Sequence, residues 1–333
     1  MRFWSIGVLA GVLAAGAQPQ SAPPAEFKVP VRLVTAPTLV FSGDDRLVFG
    51  LHPEDFEVYD NGHPQKAAVD PDPWPPFSIV LAVEANQDVR GYARFISRVG
   101  SAVEALLVGE RGEAAVIEYG DEVKVLKPFG DGDVAGALRR LSGTGRGARA
   151  IDAGMRAAAL LESRPAASSR VLIFVGQPAD RGSESPLAAL RREVERNSIA
   201  VYALALPLAG REFLSDPFSL EGLSSKSDRG GFRAGADLRR LASVLHGGAA
   251  ATEGADPFST LTAATGGTQF HFRAQRELED GIGLIGLEMR SSYLVSYSPA
   301  PGGPGYHAIR IEVGVPGAKV FSRPGYWWGG DRR

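Results

Sequence analysis

Glu84, Asn86 and Asp88 follow directly on the apolar run Phe77-Ser78-Ile79-Val80-Leu81-Ala82-Val83. Oxygen-bearing side chains at alternate positions just past a buried strand stand where an open α/β sheet holds an ion or meets a partner. Asn86 and Asp88 offer oxygens that Ca²⁺ accepts, whereas Mg²⁺ demands a near-ideal octahedral shell. Other segments carry less chemistry. Gly281-Ile282-Gly283-Leu284-Ile285-Gly286 matches a dinucleotide fingerprint but lies inside a helical pattern instead of between a strand and a helix. Gly143-Thr144-Gly145-Arg146-Gly147 lacks the Gly-Lys-Ser/Thr ending of a phosphate-binding loop and reads as the loop before a helix. His52, His63, His246, His271 and His307 are dispersed, with no i, i+4 pair and no cysteine to complete a zinc set. No Gly-x-Ser-x-Gly elbow is present.

The elements that must position Glu84 and its neighbours show in the change of hydrophobic period along the chain. Strand-like runs at Phe77–Val83, Ala114–Tyr119, Val123–Leu126, Arg170–Val175 and Ile199–Leu206 alternate with helix-like ones at Tyr92–Leu107, Val134–Leu141, Ala150–Leu161 and Pro186–Asn197. That alternation predicts an α/β fold with a doubly wound, mostly parallel sheet covered on both faces. Phe258–Thr265 and Glu277–Arg290 read as helices with a strand at Thr268–Phe272 between them. Before this core, Phe27–Val34 and Phe56–Tyr59 alternate apolar and polar residues, and Asp60-Asn61-Gly62 predicts a tight turn into a returning strand. After it, Ser292–Tyr297, His307–Val313 and Lys319–Phe321 return to β character, and Trp327-Trp328 reads as packing at the edge of the last strand. Strands from the two ends, each with one apolar face, are expected to form one smaller β-sandwich-like unit in which the α/β domain is inserted.

Arg2 followed by the uncharged run Trp4–Ala17, closing on Ala15-Gly16-Ala17, has the form of a secretory signal peptide. The expected organisation is a signal peptide at 1–17, a linker at 18–26, an amino-terminal β unit at 27–72, the α/β domain at 73–289 with an irregular stretch at 207–256 holding a helix at Ala236–Leu245, and carboxyl-terminal strands at 290–326. Export to the periplasm or beyond is implied, and the mature chain has no other apolar run approaching the about 18 residues of a membrane span. With no cysteine, disulfides and thiolate chemistry are excluded, and stability must come from the core that 333 residues allow. A formal charge of −2 with mixed signs offers no basic field for nucleic acid.

Three groups of residues together resemble one family, the bacterial von Willebrand factor type A (VWA)-related proteins first grouped from acidobacterial genomes. They are Val31–Val34 with Pro53-Glu54-Asp55-Phe56-Glu57-Val58-Tyr59-Asp60-Asn61-Gly62; the strand and turn at Glu84; and Ala263-Ala264-Thr265-Gly266-Gly267 with Ser292-Tyr293-Leu294-Val295-Ser296-Tyr297 and Arg323-Pro324-Gly325-Tyr326. The resemblance implies a VWA/Rossmann-like fold and a metal-ion-dependent adhesion site on three loops. Its Asp-x-Ser-x-Ser positions fall on Glu84, Asn86 and Asp88, its second-loop Thr on Ala148, and its third-loop Asp on Gln177. All five are substituted, so the metal site is expected to be degenerate, without a cofactor. Arg146 and Arg149 beside the second loop add positive charge where a cation would sit. Glu84 and Asp88 are left either to pair with those arginines or to solvate the loops, and the oxygens of Asn86 and Asp88 leave weak Ca²⁺ binding open.

The function this favours is a non-enzymatic interaction or scaffold module that contacts an unidentified protein partner, with Glu84, Asn86, Asp88, Arg146 and Arg149 as candidate partner-contact residues. The alternatives are a metal-dependent binding receptor and an enzyme with a dispersed site. If the leader is processed, amino-terminal sequencing of the exported protein should begin at or near Gln18, and recovery of Met1 there would exclude cleavage.

Overall fold

In the computed structural model, residues 33–70, 76–130, 132–165, 168–206, 256–300 and 303–329 are described. The expected leader, the linker, the strand start at Phe27, the helix at 236–245 and nearly all of the irregular stretch lie outside these residues. All the described residues belong to one of the chain's two compact units, residues 32–333.

The strand β5 (Phe77–Glu84) is buried along its whole length. Its alternate side chains feed two cores: Ile79, Leu81 and Val83 face one, Val80 and Ala82 the other. Such a strand reads as an unbroken apolar run because neither face meets water. It lies between β6 (Glu113–Tyr119) and β8 (Ser169–Gly176), parallel to both. The sheet continues through β9 (Ala200–Ala205) to β10 (Gln269–His271), again parallel, and is closed on the other edge by the antiparallel β7 (Val123–Lys127).

Helices cover both faces. On one lie α1 (Ala93–Arg98), α2 (Gly100–Val103), α3 (Val134–Leu138) and the long α7 (Gln275–Ser291), through residues such as Ile96, Val103, Leu138 and Ile282. On the other lie α4 (Ala150–Glu162), α5 (Leu187–Arg196) and α6 (Pro257–Thr265), through Leu161, Leu190 and Phe258. The continuous helix expected over Tyr92–Leu107 is divided into α1, α2 and a π turn at Glu104–Val108. There the Glu104 carboxylate accepts the Val134 N–H at 2.7 Å and the Leu106 carbonyl accepts from the Arg290 guanidinium, so neighbouring elements claim groups of the last turn. The Gly281–Gly286 pattern lies inside α7, where a Cβ at 281 would meet Leu204 Cδ2 at 2.7 Å and one at 286 the Leu106 carbonyl oxygen at 2.5 Å. These glycines serve helix packing.

The two ends of the described chain meet in two four-stranded antiparallel sheets. One has the order β13 (Lys319–Ser322), β1 (Val34–Phe41), β11 (Tyr293–Tyr297), β4 (Ala68–Val69), and the other β14 (Gly325–Trp328), β12 (Gly305–Val313), β2 (Phe56–Asp60), β3 (His63–Gln65). Val34, Ala36, Val295 and Tyr297 from the first pack with Phe56, Val58, Ile309 and Tyr326 from the second, the sandwich expected from the alternating patterns. The β2–β3 turn takes positive φ at Asn61 and Gly62, as an Asn-Gly hairpin requires. Beyond Val34, the strand β1 occupies residues that periodicity left unassigned, Pro37 among them. Pro37 pairs with Leu294 and precedes Thr38, where pairing to β13 begins, a place where a missing N–H is tolerated. Other bounds shift too: α7 spans Gln275–Ser291, and Trp327 and Trp328 lie not at the end of the strand expected at Lys319–Phe321 but in a separate strand, β14, at the edge of the other sheet.

Two of the motifs singled out above touch where sandwich and α/β core join. Gly266 ends α6 with φ +76°, and a Cβ there would stand 2.6 Å from the Arg323 backbone nitrogen. Arg323 is buried, donating from Nε to the Gly325 carbonyl at 2.8 Å and from Nη2 to the Glu195 carbonyl on α5 at 2.7 Å. Burial lowers its pKa to about 10, the nearby Glu195 carboxylate opposing that shift.

A second buried charge-bearing group, Glu288 on α7, accepts the Thr268 hydroxyl at 2.9 Å and is hydrogen-bonded by Tyr202. Burial pushes its pKa up to about 8, against those two hydrogen bonds. Because the folded value exceeds the unfolded one of about 4.5, the contribution is fully present below pH 4.5 and is lost as pH rises through about 8. Glu288→Gln should therefore gain on the unmodified chain between those pH values and be the more stable by a few kcal/mol at pH 9, checked by urea unfolding across pH.

Candidate functional site

Because β5, β6 and β8 run parallel, their carboxyl ends lie side by side, and the loops that follow them form one face. Glu84, the last residue of β5, is 1% exposed. Its position leaves no room beside it: a Cβ on Gly176, at the end of β8, would stand 2.6 Å from both Glu84 Oε2 and the Tyr119 hydroxyl. Glu84 Oε2 accepts the Gln177 backbone N–H at 2.5 Å and Oε1 accepts the Asn86 amide at 2.6 Å. Burial raises the Glu84 pKa to about 7; the Gln177 N–H, then the Asn86 amide, then Arg181 oppose the rise.

Asn86 is wholly buried and works as a clamp between loops. Its Nδ2 also donates to the Gly147 carbonyl at 2.9 Å, and its Oδ1 accepts the N–H groups of Asp88 at 2.9 Å and Val89 at 3.2 Å. The second and third loops are tied to one another as well. Ala148 and Arg181 exchange two backbone hydrogen bonds, of 3.0 and 2.8 Å. Asp180 Oδ1 accepts the Ile151 N–H at the start of α4 at 2.9 Å, and Asp152 accepts the N–H groups of Glu184 and Ser185, both at 3.0 Å. Asp121, in the β6–β7 turn, accepts the Gly147 N–H at 2.6 Å.

The five positions marked by the resemblance thus come together, but with unequal access. Glu84, Asn86, Ala148 and Gln177 are buried, while Asp88 and Arg146 are exposed. The carboxylates of Glu84 and Asp88 do not pair with Arg146 or Arg149. Arg149 turns away to Asp152 at 2.8 Å and Glu184 at 2.9 Å. The cation they meet is Arg181, with Nη2 3.1 Å from Asp88 Oδ2 and 3.5 Å from Glu84 Oε1. Arg181 is the residue that sequence reasoning missed. Its signal was its place four residues after Gln177 in the third loop, a basic residue close behind the end of β8.

A divalent ion, which the resemblance implies at this face, would need several oxygens converging on open space. Ala148 supplies no side-chain oxygen and both its backbone polar groups are committed to Arg181. Gln177 Oε1 accepts from Arg181 Nη1 at 3.4 Å, so an ion between the loops would stand against a guanidinium. The donor set does not fit a divalent cation. Among the described residues, no group of three or more His, Asp or Glu side chains is arranged to hold a metal ion, and no helix is long and apolar enough to cross a membrane.

No family model matches the chain, and no curated protein matches it. Among solved structures it is similar to a von Willebrand factor type A protein from Catenulispora acidiphila, at 9% identity and a TM-score of 0.46 over 90% of this chain and 74% of that one. It is similar to an aerotolerance-related membrane protein from Bacteroides fragilis, at 16% identity and a TM-score of 0.39 over 63% and 98% of the two chains. It is also similar to the conserved hypothetical protein BatB from Bacteroides thetaiotaomicron, at 13% identity and a TM-score of 0.37 over 62% and 97%.

The clamp role of Asn86 has a measurable cost. Asn86→Ala removes the acceptor of two N–H groups and a donor to Glu84, and should lower stability by about 1–3 kcal/mol, seen as a lower urea midpoint at unchanged slope. A change within about 0.5 kcal/mol would mean that the loops hold without it.

Proposed function

We propose that this chain is an exported, non-enzymatic interaction module whose strand-end face binds a protein partner without a divalent ion. The observation that carries this reading is the mutual stitching of the three strand-end loops, through Asn86 to Gly147, Ala148 to Arg181, and Asp152 and Asp180 to the opposite loop. Loops fixed by their own hydrogen bonds make a preformed surface, and a preformed surface loses little conformational freedom on binding. The buried members, Glu84 and Asn86, shape that surface from beneath. Its accessible charges include Asp88 and Arg146, on adjacent loops held together by the Gln87 N–H bond to the Gly145 carbonyl at 3.0 Å. Export is supported by the Trp4–Ala17 run ending in small residues.

An ion-independent face makes two expectations. Millimolar Mg²⁺, Mn²⁺ or Ca²⁺ should leave the melting temperature of the chain unchanged, because a ligand stabilises only what it binds. A partner recovered from the envelope fraction of the source cells should stay bound in EDTA and be lost with Arg146→Glu, a surface change that leaves the fold intact. A clear metal-dependent rise in Tm, or release of the partner by EDTA, would favour the metal-dependent receptor instead.

A further inference from the structure

Arg181 makes contacts that a free cation would make. Its guanidinium reaches all three loops: Nη2 to Asp88 and Glu84 of the first at 3.1 and 3.5 Å, Nε to the Arg146 carbonyl of the second at 3.3 Å, and Nη1 to Gln177 Oε1 of the third at 3.4 Å. Every one of these partners is an oxygen. The ionised carboxylate of Glu84, with no exposed side-chain surface, is costly inside the fold unless positive charge or donors meet it, and Arg181 is the cation that does so. The backbone of Arg181 is itself fixed by its two bonds to Ala148, so the side chain is delivered from a rigid point.

We propose that Arg181 is the built-in cation of this face: its guanidinium takes the place of an exogenous ion, neutralises Glu84 and Asp88, and joins the three loops into one surface. A guanidinium suits oxygens that are spread out and roughly coplanar, because its N–H groups diverge from a flat centre. A divalent ion instead draws its oxygens into a tight shell of about 2.0–2.6 Å, which the Glu84, Asp88, Gln177 and Arg146 oxygens do not form about Arg181. The two kinds of cation are therefore alternatives at one place. The side chain has the further advantage of being covalently attached, so the face stays assembled whatever the ion content of its surroundings. This deepens the reading of an ion-independent face and rests on it.

The test is chemical rescue in the full chain. Arg181→Ala should lower Tm by several degrees, and tens of millimolar methylguanidinium should recover at least half of the loss. N-methylurea, of the same shape but neutral, and NaCl at matched ionic strength should recover none. Arg181→Met, whose side chain fills the space, should not respond to methylguanidinium. No loss in Arg181→Ala, equal recovery with N-methylurea, or rescue of Arg181→Met would each overturn the proposal. Should Arg181→Ala fail to fold, Glu84→Gln decides: it should raise the Tm of Arg181→Met, and by several degrees more than it changes that of the unmodified chain. A fall in both backgrounds, or a double variant that does not fold, would overturn the proposal equally. Failure of rescue removes the built-in cation alone, whereas a Mg²⁺-dependent Tm shift in the unmodified chain removes the ion-independent reading itself.

Discussion

Burial of β5 on both faces is the constraint on which the rest of this structure depends. A strand with no solvent face can carry almost nothing but apolar side chains, and Phe77–Val83 obeys this apart from Ser78, whose hydroxyl bonds Glu113 at 2.7 Å. The eighth residue, Glu84, breaks the pattern at the point where strand becomes loop. A carboxylate drawn into the interior there must find donors or charge, and its own loop and the loop after β8 are the elements that supply them. The architecture of the strand-end face follows from satisfying that one group: a backbone N–H from Gln177, an amide from Asn86 and a guanidinium from Arg181.

The same groups also tie the strand-end loops to one another. Asn86 serves Glu84 on one side and the second loop on the other, and Arg181 is bonded to Ala148 by its backbone while its side chain faces the first loop. Asp152 and Asp180 secure the start of α4 to the third loop. Each bond is modest by itself, worth on the order of 1 kcal/mol. Their joint effect is to remove alternative loop conformations.

At the opposite side of the core, the α/β domain is anchored to the sandwich by a buried cation, Arg323. Arg323 satisfies its donors with backbone carbonyls from both parts, and Gly266 allows the chain to pass within contact distance of it. Two motifs separated by about sixty residues in sequence, Thr265-Gly266-Gly267 and Arg323-Pro324-Gly325, thus act as one joint. Their contacts hold the two halves in register.

The sequence by itself determined the alternation of strands and helices in the core, the Asn61-Gly62 hairpin, and the placing of Glu84, Asn86 and Asp88 just past a buried strand, because periodicity and turn chemistry act over a few neighbouring residues. It also contained the apolar faces that bring the two ends of the described chain together. Only the tertiary structure decided which arginine meets the carboxylates. Arg149 is turned by Asp152, three residues along its own helix start, while Arg181 is carried to Glu84 across 97 positions by the parallel pairing of β5 with β8. It likewise decided that Glu84, Asn86 and Glu288 are buried, and so which of their partners matter. Those outcomes depend on long-range packing, which sets distance and solvent access for each group and leaves no local pattern in the chain to read.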